Sequence, residues 1–243
     1  DKSNFSEKII YLPNTFMPSG FKDIKLQNNL RRKDFGLSDN SFIFCCFNKQ
    51  YKFTPFIYDI WMDLLKEVKE SSLWLLANNN QTVKNLKKET EKRNIDPNRI
   101  IFAPGLPLEQ HLSRHMLADL FLDTFPYGAH TTCGDSIWSG LPVLTLKGNT
   151  FASRVSSSLL KAINLEELIT NSPDEYKSVA INLAKNVEKL NLIKKKLNTN
   201  KDKSPIFDIK NYTKNLETVY KLTHKRNNEY KPVDDILIKD NSY

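Results

Sequence analysis

Cysteine is scarce in this chain. Three residues, Cys45, Cys46 and Cys133, cannot all pair, and two are adjacent inside an apolar run. That argues against a disulfide framework and for a reducing compartment, the cytoplasm. There is no CxxC, and the four histidines are scattered over 243 residues, so a structural zinc site has no support. No apolar run approaches the roughly 18 residues that span a bilayer, and no secretory leader is visible, so no membrane partner is expected. A nucleic-acid module would show a recognised motif or a basic stripe interleaved with aromatics, and neither occurs. The chain opens on Asp1 rather than methionine, which reads as a piece of a longer protein.

What is present is a globular composition: 40% hydrophobic and 11% aromatic residues, enough for a sizeable core. The 36 Lys and Arg against 28 Asp and Glu leave a net charge of +8. That excess fits an anionic ligand, and equally a solvated basic surface made of Lys- and Asn-rich stretches.

Apolar runs alternate with helical patterns. "FIFCCF" (42–47) reads as a buried strand, and "TPFIYDIWMDLLKEVKE" as an amphipathic helix with Thr54 as N-cap and Pro55 in first position. "SSLWLLA", "RIIFAP", "LFLDT" and "PVLTL" read as further strands, with a polar helix near 82–93 and a short helix starting near Leu108. Strands apolar throughout, separated by helices, indicate a parallel sheet covered on both faces. The fold class is α/β, a Rossmann-like doubly wound sheet. Expected boundaries are an extended linker over 1–30, the nucleotide-binding domain over 31–172, helices over 173–228 and a frayed tail over 229–243. Within 173–228, apolar positions from Ala180 through Val187 to Leu197 predict one long helix. A second is predicted over 209–226, with Tyr212, Leu216, Val219 and Tyr220 on one side.

Glycine is also scarce, seven in all, yet three fall in "YGAHTTCGDSIWSGLPVLTL" (127–146). In open α/β sheets ligands bind beyond the carboxyl ends of the strands. This loop, "NKQYK" (48–52) and "PGLPLEQH" (104–111) all leave strands at that edge. The first runs into a helix near Thr131 or Thr132, whose free amides and dipole suit a phosphate. Local spacing also allows plain capping, with Thr132 as N-cap and Asp135 as a first-turn acid. Lys52 reads either as a diphosphate partner or as a solvated head group, its ammonium exposed in both cases. His111 is a candidate to stack on a base and Arg114 to cover a flat ring. Cys133 reads as a passenger, since no base adjoins it.

Together, "FNKQYK", the run from Arg99 to Leu146 and "FASRVSSSLL" (151–160) resemble the C-terminal catalytic lobe of the O-GlcNAc transferase/SPINDLY family of glycosyltransferases, most closely its bacterial members. "SEKIIYLPNTF" (6–16) resembles the segment joining the two catalytic lobes. The resemblance spans about residues 6–220 and implies a GT-B fold. It further implies a UDP-sugar donor, UDP-GlcNAc in the first instance, transfer to Ser or Thr hydroxyls with inversion, and no metal. By the same resemblance Lys52 neutralises the leaving diphosphate, Thr131 and Thr132 bind it, and His130 lies beside the sugar. Asp135 holds the ribose, His111 packs on the uracil, Arg114 flanks it, and Leu106 lines the donor site. Lys49 stands where animal members carry a glutamine near the phosphates, and Leu108 where they carry a ribose-contacting lysine. SPINDLY members use GDP-fucose and others UDP-glucose, so those alternatives remain, as does a non-catalytic nucleotide-binding module. The implied partners are an acceptor protein, an N-terminal lobe and tetratricopeptide repeats.

Overall fold

The computed structural model describes residues 2, 5–77 and 79–239. Six strands make one parallel sheet: β2 (Phe42–Cys46), β3 (Ser71–Leu76), β4 (Ile100–Ala103), β5 (Leu120–Leu122), β6 (Val143–Leu146) and β7 (Ile169–Thr170). Their spatial order is β4-β3-β2-β5-β6-β7. The chain therefore starts in the middle, builds outward to β4, then crosses back to β5, which pairs Phe44 with Leu120 and Cys45 with Phe121. That reversal leaves a crevice between the ends of β2 and β5, the switch point where such sheets take ligands. Ile43 to Cys46 are consecutive and fully buried, so both faces of the sheet are covered, as the unbroken apolar runs require.

The helices follow the predicted spacing closely at their starts. In α1 (Pro55–Glu67), Thr54 Oγ accepts the Ile57 amide at 3.3 Å and Pro55 takes the first turn. The polar helix α2 spans Asn80–Glu91, capped by Asn79, two residues ahead of the predicted start. Helix α3 spans Leu108–His115, α4 Thr131–Trp138 and α5 Val155–Ala162. α3, α4 and α5 pack in series, and α1 lies against β3 and α6 (Pro173–Lys185).

Three expectations need correction. The single long helix after Pro173 is two, α6 and α7 (Val187–Lys201), broken at Asn186. Asn186 leaves helical geometry and its side chain accepts the Lys189 amide at 2.9 Å, so it caps the second helix. Val187 is exposed in consequence, while Ala180, Leu183, Leu190, Ile193 and Leu197 are buried as the periodicity implied. In α8 (Ile209–Asn228) Val219 is buried, but Tyr220 is 64% exposed and lies off the packed side. Part of the expected tail is ordered: β8 (Ile236–Leu237) pairs in parallel with β1 (Ile10–Tyr11). Residues 1, 3 and 4 of the expected linker and 240–243 of the tail lie outside the described residues.

The linker is not free of the domain either. Ser19 donates its amide to the Ile206 carbonyl at 2.8 Å, and Thr15, Ser19 and Phe21 are buried. Among the described residues no helix is long and apolar enough to cross a membrane.

Candidate active site

At the switch point two loops are locked together by side chains. Asp123 directly follows β5 and is fully buried. Its Oδ1 accepts the amides of Thr124 at 2.8 Å and Ala129 at 2.6 Å, and its Oδ2 accepts the Thr145 hydroxyl at 2.8 Å. From β2's loop, Asn48 donates to Thr124 Oγ at 2.8 Å and more weakly to Asp123 Oδ1 at 3.4 Å. Asn48 also accepts the hydroxyl of Thr132, tying the first loop to the start of α4. Burial pushes the Asp123 carboxyl up from its ordinary value, and the hydrogen bonds it accepts oppose that shift. This residue was not among the sequence candidates. Its signal was an acidic residue closing an otherwise apolar strand, in "LFLDT".

Gly128 sits against this carboxylate. A Cβ there would stand 3.1 Å from Asp123 Oδ2 and 3.3 Å from the Ala152 carbonyl oxygen, which already accepts the Gly128 amide. A side chain there would need both neighbours to give by a few tenths of an ångström. Gly140, at φ 77°, ends the turn after α4 in the left-handed region, the usual place for glycine past a helix.

Lys52 is not the exposed head group expected. It is 9% exposed, its Nζ donates to the Gly128 carbonyl at 2.8 Å and stands 3.9 Å from the centre of the Tyr127 ring. Burial lowers its pKa, while Asp123 and Cys46 pull the other way. An ammonium has three donors. One is spent on Gly128, in the loop that leads to α4.

Helix α4 starts at Thr131, with His130 in the N-cap position and no side-chain cap. The capping alternative for Thr132 therefore fails, since its hydroxyl goes to Asn48. Thr131 is exposed, and the Thr131 and Thr132 amides precede the first bonds of α4, which begin with the Cys133 amide to the His130 carbonyl at 3.0 Å. The His130 ring contacts Tyr127 at 5.2 Å and Phe151 edge-on at 6.2 Å, and its Nε2 lies 3.3 Å from the Ala152 carbonyl. Burial lowers its pKa.

One turn further, Asp135 is 5% exposed and is no first-turn acid. Its Oδ1 has no hydrogen-bond partner among the described residues, and its Oδ2 lies 3.7 Å from His111 Nε2. Arg114 contacts His111 Nδ1. A guanidinium only donates, so Nδ1 must accept and the ring proton sits on Nε2, facing Asp135. Arg114 itself is fully buried, donates to the Pro104 carbonyl at 2.6 Å and stands 4.5 Å from the Phe47 ring centre. Burial draws its pKa down to about 10. It holds the His111 ring from its buried side. His115, also buried, packs edge-on against Phe47 and His111. Leu106 is half-buried, Leu108 is 50% exposed, and Lys49 is exposed ahead of the short turn Gln50–Lys52.

Cys133 lies in the first turn of α4, where the dipole would lower a thiol pKa. It is fully buried, and burial wins: its pKa is well above the ordinary value, and Cys45 and Cys46 are raised in the same way. All three thiols are expected to stay unreactive toward a maleimide or aromatic disulfide reagent in the native protein and to react together on denaturation. Rapid labelling of one thiol under native conditions would contradict that. Among the described residues no three His, Cys, Asp or Glu side chains group closely enough to hold a metal ion.

A parallel sheet in this order, with cationic and hydroxyl groups gathered at its switch point, defines a Rossmann-like lobe of the GT-B kind. The chain belongs to glycosyl transferase family 41, whose model matches residues 22–216. It is 36% identical over 222 residues to an Arabidopsis thaliana protein described as a probable UDP-N-acetylglucosamine–peptide N-acetylglucosaminyltransferase SEC, covering 89% of this chain and 23% of that one. It is 35% identical over 205 residues to the Caenorhabditis elegans UDP-N-acetylglucosamine–peptide N-acetylglucosaminyltransferase, covering 84% and 18% respectively. Among solved structures, a mutant of the Thermobaculum terrenum O-GlcNAc transferase superposes with a TM-score of 0.71 at 28% identity, over 75% of this chain and 36% of that one. The chain thus spans less than a quarter of the length of these two plant and nematode relatives.

Proposed function

We propose that this chain is the donor-binding lobe of a protein O-glycosyltransferase that transfers N-acetylglucosamine from UDP to a Ser or Thr hydroxyl, with inversion and without a metal. Family membership and the relatives' described activity support the reaction class. The observation that carries the site is the junction of Lys52 with the loop entering α4. The hydroxyl oxygen of the acceptor attacks the anomeric carbon from the face opposite the diphosphate. The bond to the β-phosphate oxygen breaks, and its electron pair leaves with UDP. Charge accumulates on that oxygen, and in this reading the Lys52 ammonium and the α4 amides stabilise it. Asp135 Oδ1, an unpartnered buried acceptor, takes a ribose hydroxyl; His111, held by Arg114, packs on the uracil; Leu106 lines the same face; and His130 stands beside the sugar. The proton of the acceptor hydroxyl passes to a group on the N-terminal lobe, which with tetratricopeptide repeats completes the peptide cleft. In this reading the parent protein works in the cytoplasm, where its thiols stay reduced.

Leu108, half-exposed where animal members of the family have a lysine, keeps a second donor in play: a GDP-sugar or UDP-glucose. Calorimetric titration of the chain with UDP and with GDP tests both readings. Saturable UDP binding is expected, weakened about 10–100-fold in Thr131→Ala/Thr132→Ala through lost hydroxyl–phosphate bonds. Preference for GDP would move the reading to a GDP-sugar. A folded chain that binds neither nucleotide would remove the donor assignment.

A further inference from the structure

Beside the switch point lies a cavity of about 650 Å³ that the donor reading leaves unused. Phe16 from the N-terminal segment and Phe151 from the loop after β6 form an apolar wall, their ring centres 5.2 Å apart. Lys147, Arg154 and Lys161 supply three positive charges around it. No Asp or Glu lines the cavity, and among the described residues none of these cations has an ion-pair partner. Ser158 adds a hydroxyl at the same wall. Three like charges gathered at one concave, partly aromatic surface repel each other unless an anion joins them.

The wall is continuous with the phosphate loop. Phe151 meets the His130 ring, and the next residue, Ala152, accepts both the Gly128 amide and a contact from His130. The cavity therefore opens next to the sugar end of the proposed donor site, where an acceptor must approach. We infer that it holds the acceptor polypeptide through a carboxylate side chain that lies close in sequence to an apolar one. The aromatic wall takes the apolar group, and Lys147, Arg154 and Lys161 take the carboxylate. The inference rests on the donor reading above and adds to it a substrate class, acidic acceptor segments.

The test uses the whole chain saturated with UDP and three synthetic peptides. Each carries a serine followed by a phenylalanine and one variable position: aspartate, asparagine or lysine. Binding is read by fluorescence anisotropy, with UDP affinity measured separately on the same samples. The aspartate peptide is expected to bind about tenfold tighter than the asparagine peptide, and the lysine peptide weakest. Arg154→Gln/Lys161→Gln, at exposed positions that leave the core intact, is expected to erase the difference while UDP affinity stays unchanged. Raising the salt should weaken only the wild-type preference. UDP binding with no preference for aspartate would overturn the inference and leave the donor site standing. An aspartate preference without UDP binding would keep the cavity and remove the donor reading. Tighter binding of a single-stranded oligonucleotide than of the aspartate peptide, lost in the same variant, would also overturn it.

Discussion

Lys52→Met in the parent enzyme is expected to lower turnover by about 10²–10³-fold, the usual cost of removing one group that stabilises a developing oxyanion. The methionine keeps an unbranched apolar stem and removes the ammonium, along with its bond to Gly128 and its place over the Tyr127 ring. Stability should change little, by about 1 kcal/mol, because the lost hydrogen bond is offset by the relief of a desolvated charge. Thermal unfolding beside single-turnover rates separates the two effects. Wild-type-like turnover in a folded Lys52→Met enzyme would take this lysine out of the mechanism.

The same residue predicts opposing pH slopes. Its native pKa lies below the ordinary 10.5, so between the two values the unfolded chain binds more protons and stability rises with pH. In the proposed donor site UDP binds the ammonium form, so its affinity is expected to fall as pH climbs through the lowered native pKa. Lys52→Met should remove both contributions.

The second large effect is at Asp123. Asp123→Ala leaves the Thr124 and Ala129 amides, the Thr145 hydroxyl and one Asn48 donor without their acceptor. A loss of about 3–5 kcal/mol is expected, a large part of a domain's stability. Asp123→Asn separates architecture from electrostatics. Its carbonyl still accepts at Oδ1 and its amide donates to Thr145, so the fold should hold. The negative charge that favours protonated Lys52 is gone, however. The alkaline fall in UDP affinity should therefore move to lower pH in Asp123→Asn. An unmoved pH profile would reduce Asp123 to a purely structural residue, and an undisturbed melting temperature in Asp123→Ala would refute its place at the centre of the loop.

The strands and helix starts were legible because each rests on a local pattern. Unbroken apolar runs marked β2, β3 and β4, and Thr-Pro marked the start of α1. The break at Asn186 was hidden because apolar spacing runs on through Ala184 and Val187, while the break depends on one side chain turning back to cap. β1 and β8 are two residues each and exist only through pairing between distant segments. At the site, the positions of Thr131, Asp135 and His111 followed from the loop-to-helix reading. The burial of Lys52 and Arg114 did not, since nothing in a sequence says whether a cation's nearest neighbour is water, a carbonyl or a ring. Arg114 lies three residues after His111 on α3, which fixes their contact. Which of the two faces the crevice depends on Phe47, from another element.

The segment between Asp123 and His130 carries no regular secondary structure, yet its amides at Thr124, Gly128 and Ala129 are all bonded to fixed acceptors. In hydrogen-exchange terms these three amides are expected to behave like those of the sheet and to exchange slowly. The conformational entropy of shaping this seat is lost once, during folding, and not again at each encounter with a nucleotide. In the proposed reaction, the leaving group would meet at every turnover a surface already in place.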